Sequence, residues 1–146
     1  MSQSTLFTIG YAGKDIKGFI DLLRGSDIST LVDVRQIPIS RKKDFSKTRL
    51  ASCLQASGIE YKHFGILGSP KALREKVKED NDYQFFFEGY SDYLNTRLNE
   101  LDDLSDIATQ KKICLMCVEP KPTQCHRQII AQAVSKNNSQ VKVVHL

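Results

Sequence analysis

The chain alternates between two hydrophobic periods, one of about two residues and one of about three and a half. Thr5 to Gly10 reads as a strand and runs into a Tyr11-Ala12-Gly13 turn. Ile16, Phe19, Ile20 and Leu23 then recur at helical spacing until Gly25-Ser26-Asp27. Thr30 to Val34 is a second strand, whose two-residue period puts Val32 and Val34 on one face and Asp33 and Arg35 on the other; Pro38 ends it. Leu50, Cys53, Leu54 and Ser57 mark a short helix over Thr48 to Ser57, stopped by Gly58, and Ile59 to Phe64 is a third strand leading into the Gly65 to Pro70 loop. Lys71 to Lys78 is charged and helix-prone, and Asp80-Asn81-Asp82 is a break. Beyond it, Phe86, Phe87, Tyr90, Leu94, Leu98, Leu101 and Leu104 predict one long amphipathic helix. Lys112 to Val118 is the most apolar strand, which predicts a place inside the sheet with both faces covered. Past Pro120 and Pro122, Cys125-His126-Arg127 opens a helix carrying Ile129, Ile130, Ala133 and Val134, and Val141 to Val144 is the last strand.

Strands that alternate with helices in this way predict an α/β fold, a single compact domain over residues 1–146 with a mostly parallel sheet of about five strands flanked by helices. A length of 146 residues suits one core. Hydrophobic and charged fractions of 40% and 26% exclude a disordered chain. The longest apolar run, Ile113 to Val118, is six residues, far short of the roughly 18 to 20 a membrane helix needs, so no membrane partner is expected. The first residues lack the basic and long apolar regions of a secretory signal, which predicts a cytoplasmic protein. In that reducing compartment Cys53, Cys114, Cys117 and Cys125 are expected to stay out of structural disulfides.

The net charge of +4 is small, so an anionic partner has to be held by a local cluster. Arg35 to Arg49 is the most basic stretch, with six basic residues against Asp44 alone. In open α/β sheets ligands bind beyond the carboxyl ends of the strands. That rule gathers Tyr11 and Gly13, Arg35 and Arg41, Gly65 and Gly68, and Glu119, Cys125, His126 and Arg127 at one cleft. Cys125-His126-Arg127 is the most informative triplet, because a thiol at a helix start beside an imidazole and a guanidinium favours the thiolate. The competing reading makes Cys125 a helix-cap residue, His126 a first-turn residue and Arg127 the ion-pair partner of Glu119. Arg35 likewise either pairs internally with Asp33 or presents its fork to a phosphate or carboxylate. His63, inside Tyr-Lys-His-Phe, reads as a satisfied core or edge histidine.

Cys114 and Cys117 have a C-x-x-C spacing, but on a strand residues three apart face opposite ways, so the two thiols cannot share a metal. Cys114 reads as a core thiol. No spacing among Cys117, Cys125, His126 and His63 is a zinc-finger pattern, and no metal or other cofactor is expected.

Four ordered motifs complete the picture. They are Thr8-Ile9-Gly10-Tyr11; Leu31-Val32-Asp33-Val34-Arg35 with Pro38, Ser40-Arg41 and Phe45; Gly58-Ile59-x-Tyr61-x-His63 with Leu67-Gly68; and Cys117-x-Glu119 leading to Cys125-His126-Arg127. Together these resemble the family catalogued as domain of unknown function 488, over residues 8 to 127. Ala12 departs from it, standing where a serine is common. The resemblance implies a compact α/β domain with a pocket lined by Tyr11, Arg35, Arg41, His63, Glu119, Cys125, His126 and Arg127, and supplies no reaction.

From those side chains the expected function is an enzyme acting on an anionic, phosphate-bearing substrate, with a nucleotide or nucleic acid among the candidates. Glu119 or Cys125 does the proton or nucleophilic work beside His126, and Arg35, Arg41 and Arg127 neutralise charge. A cysteine phosphatase of the signature type is not supported, because that signature needs five residues between Cys and Arg where Cys125 and Arg127 have one. The alternative is a non-catalytic nucleic-acid or nucleotide-binding module that uses Arg35 to Arg49, and a weaker one is a thiol redox or metal-sensing protein.

Overall fold

The computed structural model describes residues 4–146. Five strands, β1 (Ser4–Gly10), β2 (Thr30–Asp33), β3 (Glu60–His63), β4 (Ile113–Cys117) and β5 (Val141–His145), form one sheet in the order β3-β2-β4-β1-β5. Every neighbouring pair is parallel. Six α-helices connect and cover them: α1 (Ile16–Gly25), α2 (Lys47–Ala56), α3 (Lys71–Asp80), α4 (Tyr83–Leu94), α5 (Leu98–Gln110) and α6 (Arg127–Asn137). None is long and apolar enough to cross a membrane.

Strand alternation divides the core in two. One side of the sheet carries Leu6, Val32, Val34, Ile113, Leu115 and Cys117 against α4, α5 and α6. The other carries Ile9, Leu31, Cys114 and Met116 against Phe19 and Leu23 of α1 and Leu50 and Leu54 of α2. Cys114 and Cys117 therefore lie on opposite faces of β4, as the two-residue period requires. All five residues of β4 are buried, as expected for a strand flanked by β2 and β1.

The predicted long helix over Phe86 to Leu104 is two helices. At the junction, Thr96 and Arg97 donate to the carbonyls three residues back, those of Tyr93 and Leu94, and the Thr96 hydroxyl also bonds the Tyr93 carbonyl at 2.6 Å. These turn bonds replace the four-residue ladder. The spacing Leu94, Leu98, Leu101 conceals the break because it stays in helical phase, but Leu98 is exposed while Leu101 and Leu104 enter the core. Of the α4 aromatics, Phe86 and Tyr90 are buried, whereas Phe85 is exposed. Tyr90 and Tyr93 donate from their hydroxyls to the carbonyls of Leu67 and Ile66, pinning the short 3-10 turn Gly65–Leu67 that follows β3.

The order of connections positions the site. β1 and β2 are each followed by a helix on the α1/α2 side, whereas β4 is followed by α6 on the other. The loop leaving β4 thus parts from those leaving its two neighbours, opening a crevice at the carboxyl edge of the sheet. Gly10 ends β1 beneath the Glu119-Pro120 segment. A Cβ there would sit 1.7 Å from the Glu119 carbonyl oxygen, so the close crossing requires glycine.

Candidate functional site

A cleft of about 530 Å³ occupies this crevice. Its walls come from the segment after β2 (Arg35, Gln36, Ile37, Ile39), from the segment around and after β4 (Cys117, Val118, Glu119, Gln124, Cys125, His126), and from α3 with the start of α4. Four of the eight residues singled out from the sequence line it: Arg35, Glu119, Cys125 and His126. Tyr11, His63, Arg41 and Arg127 do not.

Arg35 is an internal partner more than a ligand-facing one. Its Nε donates to Asp33 Oδ1 at 2.9 Å and its Nη2 to Asp33 Oδ2 at 2.7 Å, while Nη1 donates to the Phe45 carbonyl at 2.8 Å. The guanidinium also stands 5.3 Å over the Tyr11 ring, which stacks on Phe45. Burial opposes its charge, but the hydrogen bonds and charge of Asp33 prevail and hold it more basic than usual. Tyr61 donates to the same carboxylate at 2.6 Å. Burial, with Asp33, pushes that phenol up and keeps it protonated. Of the two readings open at this position, the structure shows the internal pair. His63 meets the Arg35 carbonyl through Nε2 at 2.8 Å, a satisfied edge histidine. Arg41 is exposed on the loop before α2 and stands outside the cleft.

Arg127 is the largest fully buried side chain. It is the first residue of α6, with His126 as its cap and Cys125 in extended backbone just before, so the helix begins two residues later than the triplet suggests. Its guanidinium donates to Thr8 Oγ1 (3.2 Å), Cys117 Sγ (3.2 Å), the Glu119 carbonyl (2.5 Å) and the Pro120 carbonyl (3.2 Å). The ion pair with the Glu119 side chain, which the competing reading gave Arg127, is replaced by bonds to backbone, and burial lowers the guanidinium's pKa. The Glu119 side chain is exposed and has no hydrogen-bond or salt-bridge partner among the described residues.

His126 is buried, wedged against the Tyr90 ring at 5.0 Å. Its Nε2 lies 2.7 Å from the Val34 carbonyl, which only accepts, so Nε2 carries the proton and Nδ1 presents a lone pair. Burial lowers the imidazole pKa to about 4, with the positive charges of Arg127 and Arg74 adding to the effect, so the ring is neutral at pH 7. Nδ1 faces Cys125 Sγ at 3.7 Å.

Cys125 and Cys117 are disulfide-bonded, eight residues apart. This corrects the expectation that all four cysteines stay unpaired, which only Cys53 and Cys114 meet. The expectation rested on compartment; the pairing arises because the loop after β4 folds back over the strand it leaves. A nucleophilic Cys125 thiolate belongs to the reduced chain alone.

Sequence reasoning missed the α3 wall. Arg74 and Lys78 line the cleft. Arg74 donates from Nη1 to Gln36 Oε1 at 2.7 Å and to the Ser69 carbonyl, leaving Nη2 unengaged among the described residues, and burial makes it less basic than usual. The available signal was position: Lys71 to Lys78 directly follows the loop leaving the third strand and so starts at the same sheet edge.

A family model described as domain of unknown function DUF488 matches residues 15–134. No curated protein and no solved structure matches the chain. With 120 of its 146 residues inside that match, the chain belongs to the DUF488 family.

Proposed function

We propose that this protein is an enzyme acting on a small anionic, phosphate-bearing substrate held in the cleft beyond the ends of β2 and β4. One observation carries the reading. Two basic residues of α3, Arg74 and Lys78, and the carboxylate of Glu119 line one cleft, and none of the three is tied up in a salt bridge among the described residues. A phosphate takes the cationic wall, since a guanidinium with a free amino group and an ammonium supply charge-assisted donors. Glu119 acts as general acid or base, being an unpaired carboxylate within the same space. Arg35 and Arg127 hold the framework: one fixes the segment after β2, the other the loop after β4. The cytoplasm, where nucleotides and phosphorylated metabolites are abundant, is the setting this reading implies.

The basic loop gives the second reading, nucleic-acid binding without catalysis. It is favoured by the exposure of Arg41, Lys43, Lys47 and Arg49 beside Ile37 and Ile39, which are exposed at the cleft rim.

Thermal shift with inorganic phosphate and with nucleoside monophosphates, followed by product analysis, tests both. Stabilisation of the wild type that disappears in Arg74→Ala/Lys78→Ala, with turnover reduced about 10²-fold or more in Glu119→Gln, supports the enzyme. Equal stabilisation of wild type and double variant rejects the α3 wall as the anion site. Tight, steeply salt-dependent binding of a single-stranded oligonucleotide, indifferent to Glu119→Gln, favours the second reading.

A further inference from the structure

Cys117, Cys125 and His126 each place one donor atom, Sγ, Sγ and Nδ1, within 4.8 Å of one another, and all three residues are buried. We propose that in the reduced chain this cluster is a metal site, taking a divalent cation that prefers thiolate and imidazole ligands, Zn2+ above all. The inference stands on the cluster's own geometry and does not depend on which substrate the cleft takes.

Four features support it. The His126 ring has its tautomer set by the bond from Nε2 to the Val34 carbonyl, the outer-shell arrangement that aims the other nitrogen at a metal. Arg127 donates to Cys117 Sγ from a fully buried position where no carboxylate is hydrogen-bonded to it, so the thiolate that forms at Cys117 when the ion displaces its proton meets a counter-charge already in place. The Cα atoms of Cys117 and Cys125 stand 7.3 Å apart, which leaves room for two sulfurs to separate and flank one ion with bonds of about 2.3 Å. Finally, both cysteines and His126 line the cleft, so a fourth position opens toward it. Three protein ligands with one open position is the pattern of a reactive, not a purely structural, zinc. Two thiolates neutralise the ion and Arg127 leaves one positive charge over, so the open position favours an anionic ligand such as hydroxide.

The chemistry balances in two steps. A cellular dithiol reduces the Cys117–Cys125 bond: two electrons and two protons pass to the sulfurs as the reductant closes its own disulfide. Zn2+ then displaces the two thiol protons, forming two S–Zn bonds and one bond to the neutral His126 nitrogen. Oxidation of the two thiolates back to the bridge, with electrons passing to a disulfide or peroxide, expels the ion.

The test uses the full chain, reduced with a phosphine, freed of reductant under argon and dialysed against Zn2+, and separately against Co2+. The expected result is one tightly held zinc per chain in the reduced protein, none in the oxidised protein, two protons released, and a thiolate-to-cobalt charge-transfer band. Cys125→Ser and His126→Gln should weaken zinc binding at least 10-fold and Cys53→Ser should not. No stoichiometric zinc in the reduced wild type overturns the proposal without reference to any variant's folding. So does a loss in Cys53→Ser as large as in Cys125→Ser. Zinc uptake with no turnover on phosphate-bearing compounds leaves the metal site standing and ends the enzyme reading.

Discussion

Asp33 and Arg35, two residues apart at the end of β2, close on each other as a bidentate pair with both side chains buried. The pair is the hinge on which the wall after β2 is hung, because the same guanidinium bonds the Phe45 carbonyl and the same carboxylate accepts from Tyr61. Removing one member leaves the other charged, buried and unpaired. Asp33→Asn should therefore cost about 3 to 5 kcal/mol in urea unfolding, whereas Asp33→Leu/Arg35→Met should recover much of that loss. A double variant as unstable as the single one would show that the pair acts through its hydrogen bonds to Phe45 and Tyr61 and not through its charges.

Gly10→Ala should strain the crossing of the 119–120 segment over β1. The added Cβ meets backbone, the Glu119 carbonyl carbon at 2.4 Å as well as its oxygen, so no side chain can move aside. A destabilisation of about 1 to 3 kcal/mol is expected. Shifts in the amide spectrum should concentrate at residues 117–127, and a change spread evenly over the chain would point elsewhere.

Arg127→Lys should not be a conservative change. A single ammonium cannot span Thr8, Cys117 and the carbonyls of Glu119 and Pro120, which the guanidinium bonds together. Loss of about 2 kcal/mol and faster hydrogen exchange at residues 118–122 are expected. Unchanged exchange there would mean that the loop holds its shape without Arg127.

The oxidised, metal-free protein should lose stability in mild acid through His126. The ring titrates at about 4 when folded because it is buried, against about 6.5 when unfolded. Between those values the unfolded chain binds the extra proton. The contribution is therefore complete above about pH 6.5 and is lost as pH falls, reaching about 3 kcal/mol by pH 4. Urea unfolding of wild type and His126→Gln across this range checks it. Parallel curves would place the titration on another group.

Much of the architecture was legible in the chain because it depends on local periodicity. The two-residue period assigns Val32 and Val34 to one face and Asp33 to the other, and it separates Cys114 from Cys117. The rule for strand ends likewise brought Arg35, Glu119, Cys125 and His126 to one cleft, since all follow parallel strands and a parallel sheet has all its carboxyl ends on one edge. The break between α4 and α5 was hidden because Thr96 and Arg97 interrupt hydrogen bonds without shifting the apolar phase.

Periodicity places a side chain on a face but does not name what it meets there. That Arg127 reaches Thr8, 119 residues away, that His126 spends one nitrogen on the Val34 carbonyl, and that Cys125 returns to Cys117 were decided by the strand order β3-β2-β4-β1-β5 and the loop folded over it. Arg41 and Arg74 make the same point from opposite sides. One was chosen from the sequence and lies outside the cleft, the other was passed over and lines it, because which loop and which helix close a crevice depends on packing between elements far apart in the chain.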